Sequence, residues 1–100
     1  MKISGYRIEP AEIEWAISQV TSGMNSKVFG FTKTTGMAGI VAFIETDEDQ
    51  TEILSEKLRT VLSAALIPEK IITVSHFPIN SNGKIDKSLL FGEYSNQIYE

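Results

Sequence analysis

The chain contains no cysteine, one histidine, three prolines and one tryptophan among its 100 residues. Without cysteine, disulfides, thiol catalysis and thiolate-held metal are excluded. The lone histidine, His76, leaves no histidine metal cluster and little basis for a serine–histidine pair; it reads as a half-buried residue at a strand end. No metal site is expected. No apolar run approaches the length of a membrane span, and no charged-then-apolar start resembles a secretory leader. The expectation is therefore a cytoplasmic protein without membrane contact. Nine basic against thirteen acidic residues give a net charge of −4 with no basic cluster, which argues against a nucleic-acid partner. Also missing are a Gly-rich phosphate cradle, paired carboxylates at catalytic spacing, and a nucleophile with its base.

What is present is an ordinary globular composition, 42% hydrophobic and 22% charged. That is enough for one core, and residues 1–100 read as a single domain with no repeat or low-complexity stretch. Lys2 to Ile8 alternates around Gly5 and reads as two short extended pieces meeting at a bend. Glu9-Pro10 opens a helix, with proline tolerated in the first turn and Glu9, Glu12 and Glu14 near the positive end of the dipole. Ile13, Ala16, Ile17 and Val20 form its buried stripe, and Trp15 falls off that stripe.

Lys27 to Thr34 and Met37 to Glu45 read as strands joined at Thr35-Gly36. Gly39 to Ile44 is apolar almost throughout, as in a central strand covered on both faces. Ile53, Leu54, Leu58, Val61, Leu62 and Ala65 mark the buried face of a long second helix that Pro68 stops. Ile71 to Ser75 is a third strand. Asp86 caps a short helix from Lys87 to Phe91, and the tail from Gly92 reads as polar and frayed. The expected fold is α+β: a sheet of about three strands, two main helices, an N-terminal two-stranded hairpin and a short C-terminal helix.

Two segments carry more than packing requires. One is the Gly5 bend with Tyr6 and Arg7, which taken alone is a hairpin leading into a helix. The other is Pro78-Ile-Asn-Ser-Asn-Gly-Lys-Ile-Asp-Lys87. There, Asn82-Gly83 suits both centres of a tight hairpin turn and presents Lys84 from a rigid corner. A lysine so held can be aimed at a phosphate or carboxylate as a point charge. Taken alone, it is an ordinary solvated turn lysine.

Together, in this order and at this distance, the two segments resemble a known family. Lys2-Ile-Ser-Gly-Tyr-Arg-Ile-Glu-Pro-Ala-Glu-Ile-Glu14 resembles the eighth core motif of the adenylate-forming superfamily. That superfamily comprises acyl-CoA synthetases, luciferases and the adenylation domains of nonribosomal peptide synthetases. Phe77-Pro-Ile-Asn-Ser-Asn-Gly-Lys-Ile-Asp-Lys87 resembles its tenth motif. The resemblance covers residues 2 to 91 and implies the small C-terminal subdomain, without the large N-terminal domain that binds most of ATP, Mg2+ and the acyl substrate. The hinge residue of the family is expected just before Lys2, so the chain starts past it.

The resemblance further implies a two-step ligase, inactive as this chain alone. Lys84 would serve acyl-adenylate formation, on a turn supported by Asn82, Gly83 and Asp86. The segment Ile3, Ser4, Gly5, Tyr6, Arg7 and Glu9 would then replace it at the site for thioester transfer to the phosphopantetheine of a carrier protein or CoA. The motifs look closer to amino-acid-activating members than to luciferases, a nonribosomal-peptide or D-alanine–carrier-protein type of ligase. Lys87 stands where the family usually has arginine, a mild variant. The alternative is a free-standing binding or regulatory module that kept the fold without catalysis.

Overall fold

A computed structural model describes residues 2–3, 6–7, 9–21, 23–48 and 51–99. Strands β1 (Lys2–Ile3) and β2 (Tyr6–Arg7) pair antiparallel, with Lys2 opposite Arg7 and Ile3 opposite Tyr6. Helix α1 (Pro10–Val20) starts with proline in its first turn and Glu12 near its N-terminus. Proline lacks only an N–H that would be unbonded there, so it costs the helix nothing. Its Ile13, Ala16 and Ile17 are fully covered, as their spacing requires.

The main sheet has the order β3 (Ser26–Thr32), β4 (Ala38–Glu45), β5 (Lys70–Val74). β3 runs antiparallel to β4 with Phe31 opposite Gly39, and β5 runs parallel to β4 with Ile72 opposite Phe43. A parallel neighbour needs a crossover, and helix α2 (Thr51–Leu58) lies within it. β4 alternates between two separate cores. Ile40, Ala42 and Ile44 face α1 and α2, joined by Val28, Leu54 and Leu58. Val41 and Phe43 face the other side, with Phe31, Ile72, Val74, Leu90 and Ile98. That two-sided cover explains why β4 reads as a continuous apolar run.

The second face is rich in aromatic rings. Phe43 meets Phe29, Phe91 and Tyr94, each with ring centroids 6.1 Å away. Burying a ring such as Phe43 contributes about 1.5–3 kcal/mol. Close approach has a local cost in sequence choice: a Cβ at Gly39 would lie 2.9 Å from the Phe31 ring.

Three expectations need correction. The second helix ends at Leu58 rather than running to Pro68. The Thr60 hydroxyl donates to the Lys57 carbonyl at 2.6 Å, and the Thr60 and Val61 N–H groups reach back only three residues. This tightens the chain out of the α-helix. A separate 3₁₀ turn follows at Ala64–Leu66. Val61, beyond the helix, is accordingly exposed at 50%, and Ile53, inside α2, lies on its open side at 57%. Second, the tail is not frayed: α3 runs Lys87–Glu93, α4 follows at Ser95–Ile98, and Ile98 is buried. Tyr94 and Ile98, four residues apart, close the aromatic face of the sheet. Third, His76 is exposed, because Phe77 and not His76 turns into that core.

Candidate functional site

The lysine turn is built between β5 and α3. An isolated bridge pairs Ile79 with Ile85, and the Asp86 N–H donates to the Pro78 carbonyl at 2.8 Å. Above it, Asn80 N–H donates to the Lys84 carbonyl at 2.8 Å, and Gly83 N–H to the Asn80 carbonyl at 3.0 Å. The turn is therefore Asn80–Gly83 with Ser81 and Asn82 at its centre. Gly83 follows at φ +78°, the left-handed region that glycine enters without penalty. This corrects the expected two-residue turn centred on Asn82-Gly83 to a three-residue loop between Asn80 and Lys84.

The physical reason is the Asn80 side chain. Its Oδ1 accepts both the Asn82 N–H at 2.9 Å and the Lys84 N–H at 3.1 Å. Asn80 belongs to the motif string, but it is not among the turn supports expected from the sequence. A signal for it exists, since an asparagine two residues before another turn residue is the Asx-turn pattern. Of the three expected supports, Gly83 supplies the left-handed bend and Asp86 caps α3, its Oδ1 accepting the Leu89 N–H at 3.0 Å. Asn82 contributes its backbone N–H.

The base of the turn is tied to the sheet by Glu45, at the end of β4. Glu45 Oε2 accepts the Phe77 N–H at 2.8 Å, and Oε1 accepts the Asn25 amide at 3.2 Å. The Phe77 N–H, then the Asn25 amide, hold the Glu45 carboxyl below its ordinary range; desolvation opposes them and the nearby His76 adds a small pull. On the far side, the Lys87 ammonium sits 5.2 Å from the Phe29 ring centre and 5.4 Å from that of Phe91. This cation–π contact gives the lysine at the arginine position a packing role.

Lys84 itself is exposed and forms no ion pair among the described residues. A cation on a braced backbone that is not engaged in an ion pair is available to an incoming anion. Exposed apolar side chains lie on either side of it in sequence, Ile79 at 59% and Leu89 at 53%. Among the described residues no group of three metal-ligating side chains gathers, and no helix is long and apolar enough to cross a membrane.

Of the N-terminal segment, Ile3, Tyr6 and Arg7 are placed by the β1–β2 pairing, and Glu9 precedes α1 with extended backbone. Ser4 and Gly5 lie outside the described residues. The hairpin and the lysine turn belong to opposite ends of the chain. The hairpin's β1 comes near β4 and the turn is held to the end of β4 through Glu45, so one strand carries both.

No protein-family model matches the chain. By sequence it is 30% identical over 91 residues to bacitracin synthase 1 of Bacillus licheniformis, covering 90% of this chain and 2% of that protein. By structure it is similar to a four-domain nonribosomal peptide synthetase bound to AMP and glycine. That match has a TM-score of 0.79 and 31% identity, and covers 87% of this chain and 7% of the other. It is similar as well to apo MatB of Rhodopseudomonas palustris, with a TM-score of 0.79, 28% identity, 100% of this chain and 20% of that one. The chain spans 1% to 2% of the length of the first curated relatives it matches. Its homologues are nonribosomal peptide synthetases with adenylation domains, and its structural neighbours also include acyl-CoA synthetases. The chain belongs to the adenylate-forming superfamily, and these matches agree with its C-terminal subdomain.

Proposed function

We propose that this domain is the mobile lid of an ATP-dependent acid–thiol ligase of the amino-acid-activating type, completed by a large N-terminal domain. The observation that carries the reading is Lys84: exposed, without an ion pair among the described residues, and with its backbone N–H held by the Asn80 carboxamide at the motif position where the superfamily places its lysine. Adenylation brings a carboxylate to the α-phosphate of ATP, and negative charge accumulates on the phosphate as pyrophosphate leaves. A preplaced ammonium stabilises that charge without reorganising. ATP and its Mg2+ would be held mainly by the large domain, with Lys84 reaching the reacting oxygens.

In the second half-reaction the domain would rotate as a rigid body, withdrawing Lys84 and bringing residues 3–9 to the phosphopantetheine of a carrier protein or CoA. The exposed Ile79 and Leu89 flanking the turn support docking against a larger body. The test is complementation with the matching large domain, reading amino-acid-dependent pyrophosphate exchange. Lys84→Ala is expected to lower exchange by roughly 10²–10³; equal rates would remove Lys84 from adenylation. In the intact enzyme, Gly5→Leu is expected to impair thioester formation while sparing exchange, because a side chain there would obstruct the pantetheine arm.

A second reading, a binding module without catalysis, draws on the open apolar groove between α1 and the chain after α2. Trp15, 65% exposed, lines it with Ala16, Val61, Leu62 and Leu66. A pure docking module has no use for Lys84. This reading would therefore be favoured if the large domain bound the chain without any gain in exchange.

A further inference from the structure

We infer that Asn82 is a site of spontaneous succinimide formation, a slow modification that leaves isoaspartate two residues before Lys84. The chain has four asparagines, and the structure separates them. The Asn25 amide is bonded to Glu45, and Ser26 follows it. The Asn80 oxygen accepts two backbone N–H groups, and Ser81 follows it. Asn96 lies within the short helix α4. Asn82 alone is followed by glycine; its residue is exposed, and its carboxamide makes no hydrogen bond among the described residues.

Gly83 is open as well. Nothing lies within 4 Å of where its Cβ would stand, so the corner is open on that side. One contact guards that nitrogen, the 3.0 Å hydrogen bond from Gly83 N–H to the Asn80 carbonyl.

The chemistry needs only water and base. Hydroxide takes the Gly83 amide proton, and the nitrogen attacks Asn82 Cγ. The N–Cγ bond forms, the Cγ–Nδ2 bond breaks, and ammonia leaves with a proton from solvent. Water then opens the ring at either carbonyl, giving aspartate or isoaspartate; the net change is gain of water and loss of ammonia.

Either product places a carboxylate beside the lysine turn. Isoaspartate also lengthens the backbone by one methylene between the two N–H groups that Asn80 Oδ1 holds together, so both hydrogen bonds cannot keep their geometry. On the reading of Lys84 given above, ageing of this turn would switch the lysine off.

The experiment incubates the folded chain in mildly alkaline buffer and maps acid formation by peptide mass spectrometry, with isoaspartyl methyltransferase as the isomer probe. The expected result is isoaspartate at residue 82, appearing several-fold faster than acid at Asn25, Asn80 or Asn96. Asn80→Ala, which loosens the guarding turn, is expected to speed it further, and Asn82→Gln to abolish it. Acid appearing first at another asparagine, or none at residue 82, would overturn the site. Aged and fresh samples of each protein are then compared for complemented pyrophosphate exchange, where loss is expected in the aged wild type. Isoaspartate at residue 82 with unchanged exchange would leave the modification standing and overturn the role given to Lys84.

Discussion

The Asn80 carboxamide oxygen accepts the Lys84 backbone N–H at 3.1 Å while also accepting that of Asn82 at 2.9 Å. One side chain thereby fixes the direction in which Lys84 leaves the turn. Rigidity at this point matters because misplacing a charged group by about 1 Å can cost on the order of 10²-fold in rate.

Asn80→Ala is accordingly expected to lower pyrophosphate exchange by roughly tenfold or more with little change in substrate KM. Its effect on domain stability should stay near about 1 kcal/mol, the worth of an ordinary hydrogen bond. Asn80→Ser retains a short, neutral accepting oxygen and is expected to restore part of the rate. Failure of that rescue, with the fold intact, would show that the brace does not position Lys84.

Glu45 predicts a pH dependence. Its carboxyl is held below the ordinary value of 4.5, chiefly by the Phe77 N–H. The folded state therefore prefers the ionised form. The stabilisation is fully present above the unfolded pKa and is lost as pH falls through the lowered folded value. Urea titrations from neutral pH down to about pH 3 are expected to show the gap between wild type and Glu45→Gln narrowing on the acid side. A constant gap would contradict the assignment.

Ile98→Ala tests the C-terminal tail. Ile98 is 1% exposed and packs with Phe43 and Leu90 in the second core, so its truncation is expected to cost about 2–5 kcal/mol. A frayed tail would give no change in melting temperature.

Lys87 links the turn to the aromatic face through Phe29 and Phe91. Lys87→Arg is expected to keep stability and Lys87→Ala to lose about 0.5–1 kcal/mol by thermal unfolding. An equal loss in both variants would mean that the rings do not recognise the cation.

Much of the fold is legible in the residues. The stripe Ile13, Ala16 and Ile17 marks α1, because helical spacing needs no partner to be read. The apolar run of β4 announces a strand covered on both sides. A helix through Val61 is the wrong reading because Leu62 and Leu66 do pack on the core, but from a turn and a 3₁₀ segment that keep a similar period. Asn80 lies inside the motif string without a role assigned to it there, although its own chemistry foretells the bonds it makes.

The α+β class, the superfamily and the position of Lys84 all follow from the residue string, since spacing, turn chemistry and two linked motifs are local properties of the chain. What anchors the base of that lysine's turn is settled by the folded arrangement instead. Glu45 lies 32 residues from Phe77 in the chain, yet its carboxylate receives the Phe77 N–H. Tyr94 and Ile98 are covered only because Phe29, Phe43 and Phe91 leave a surface for them to close. Contacts between distant segments depend on the assembled sheet, and no local pattern encodes which side chain it will bring to the base of a turn.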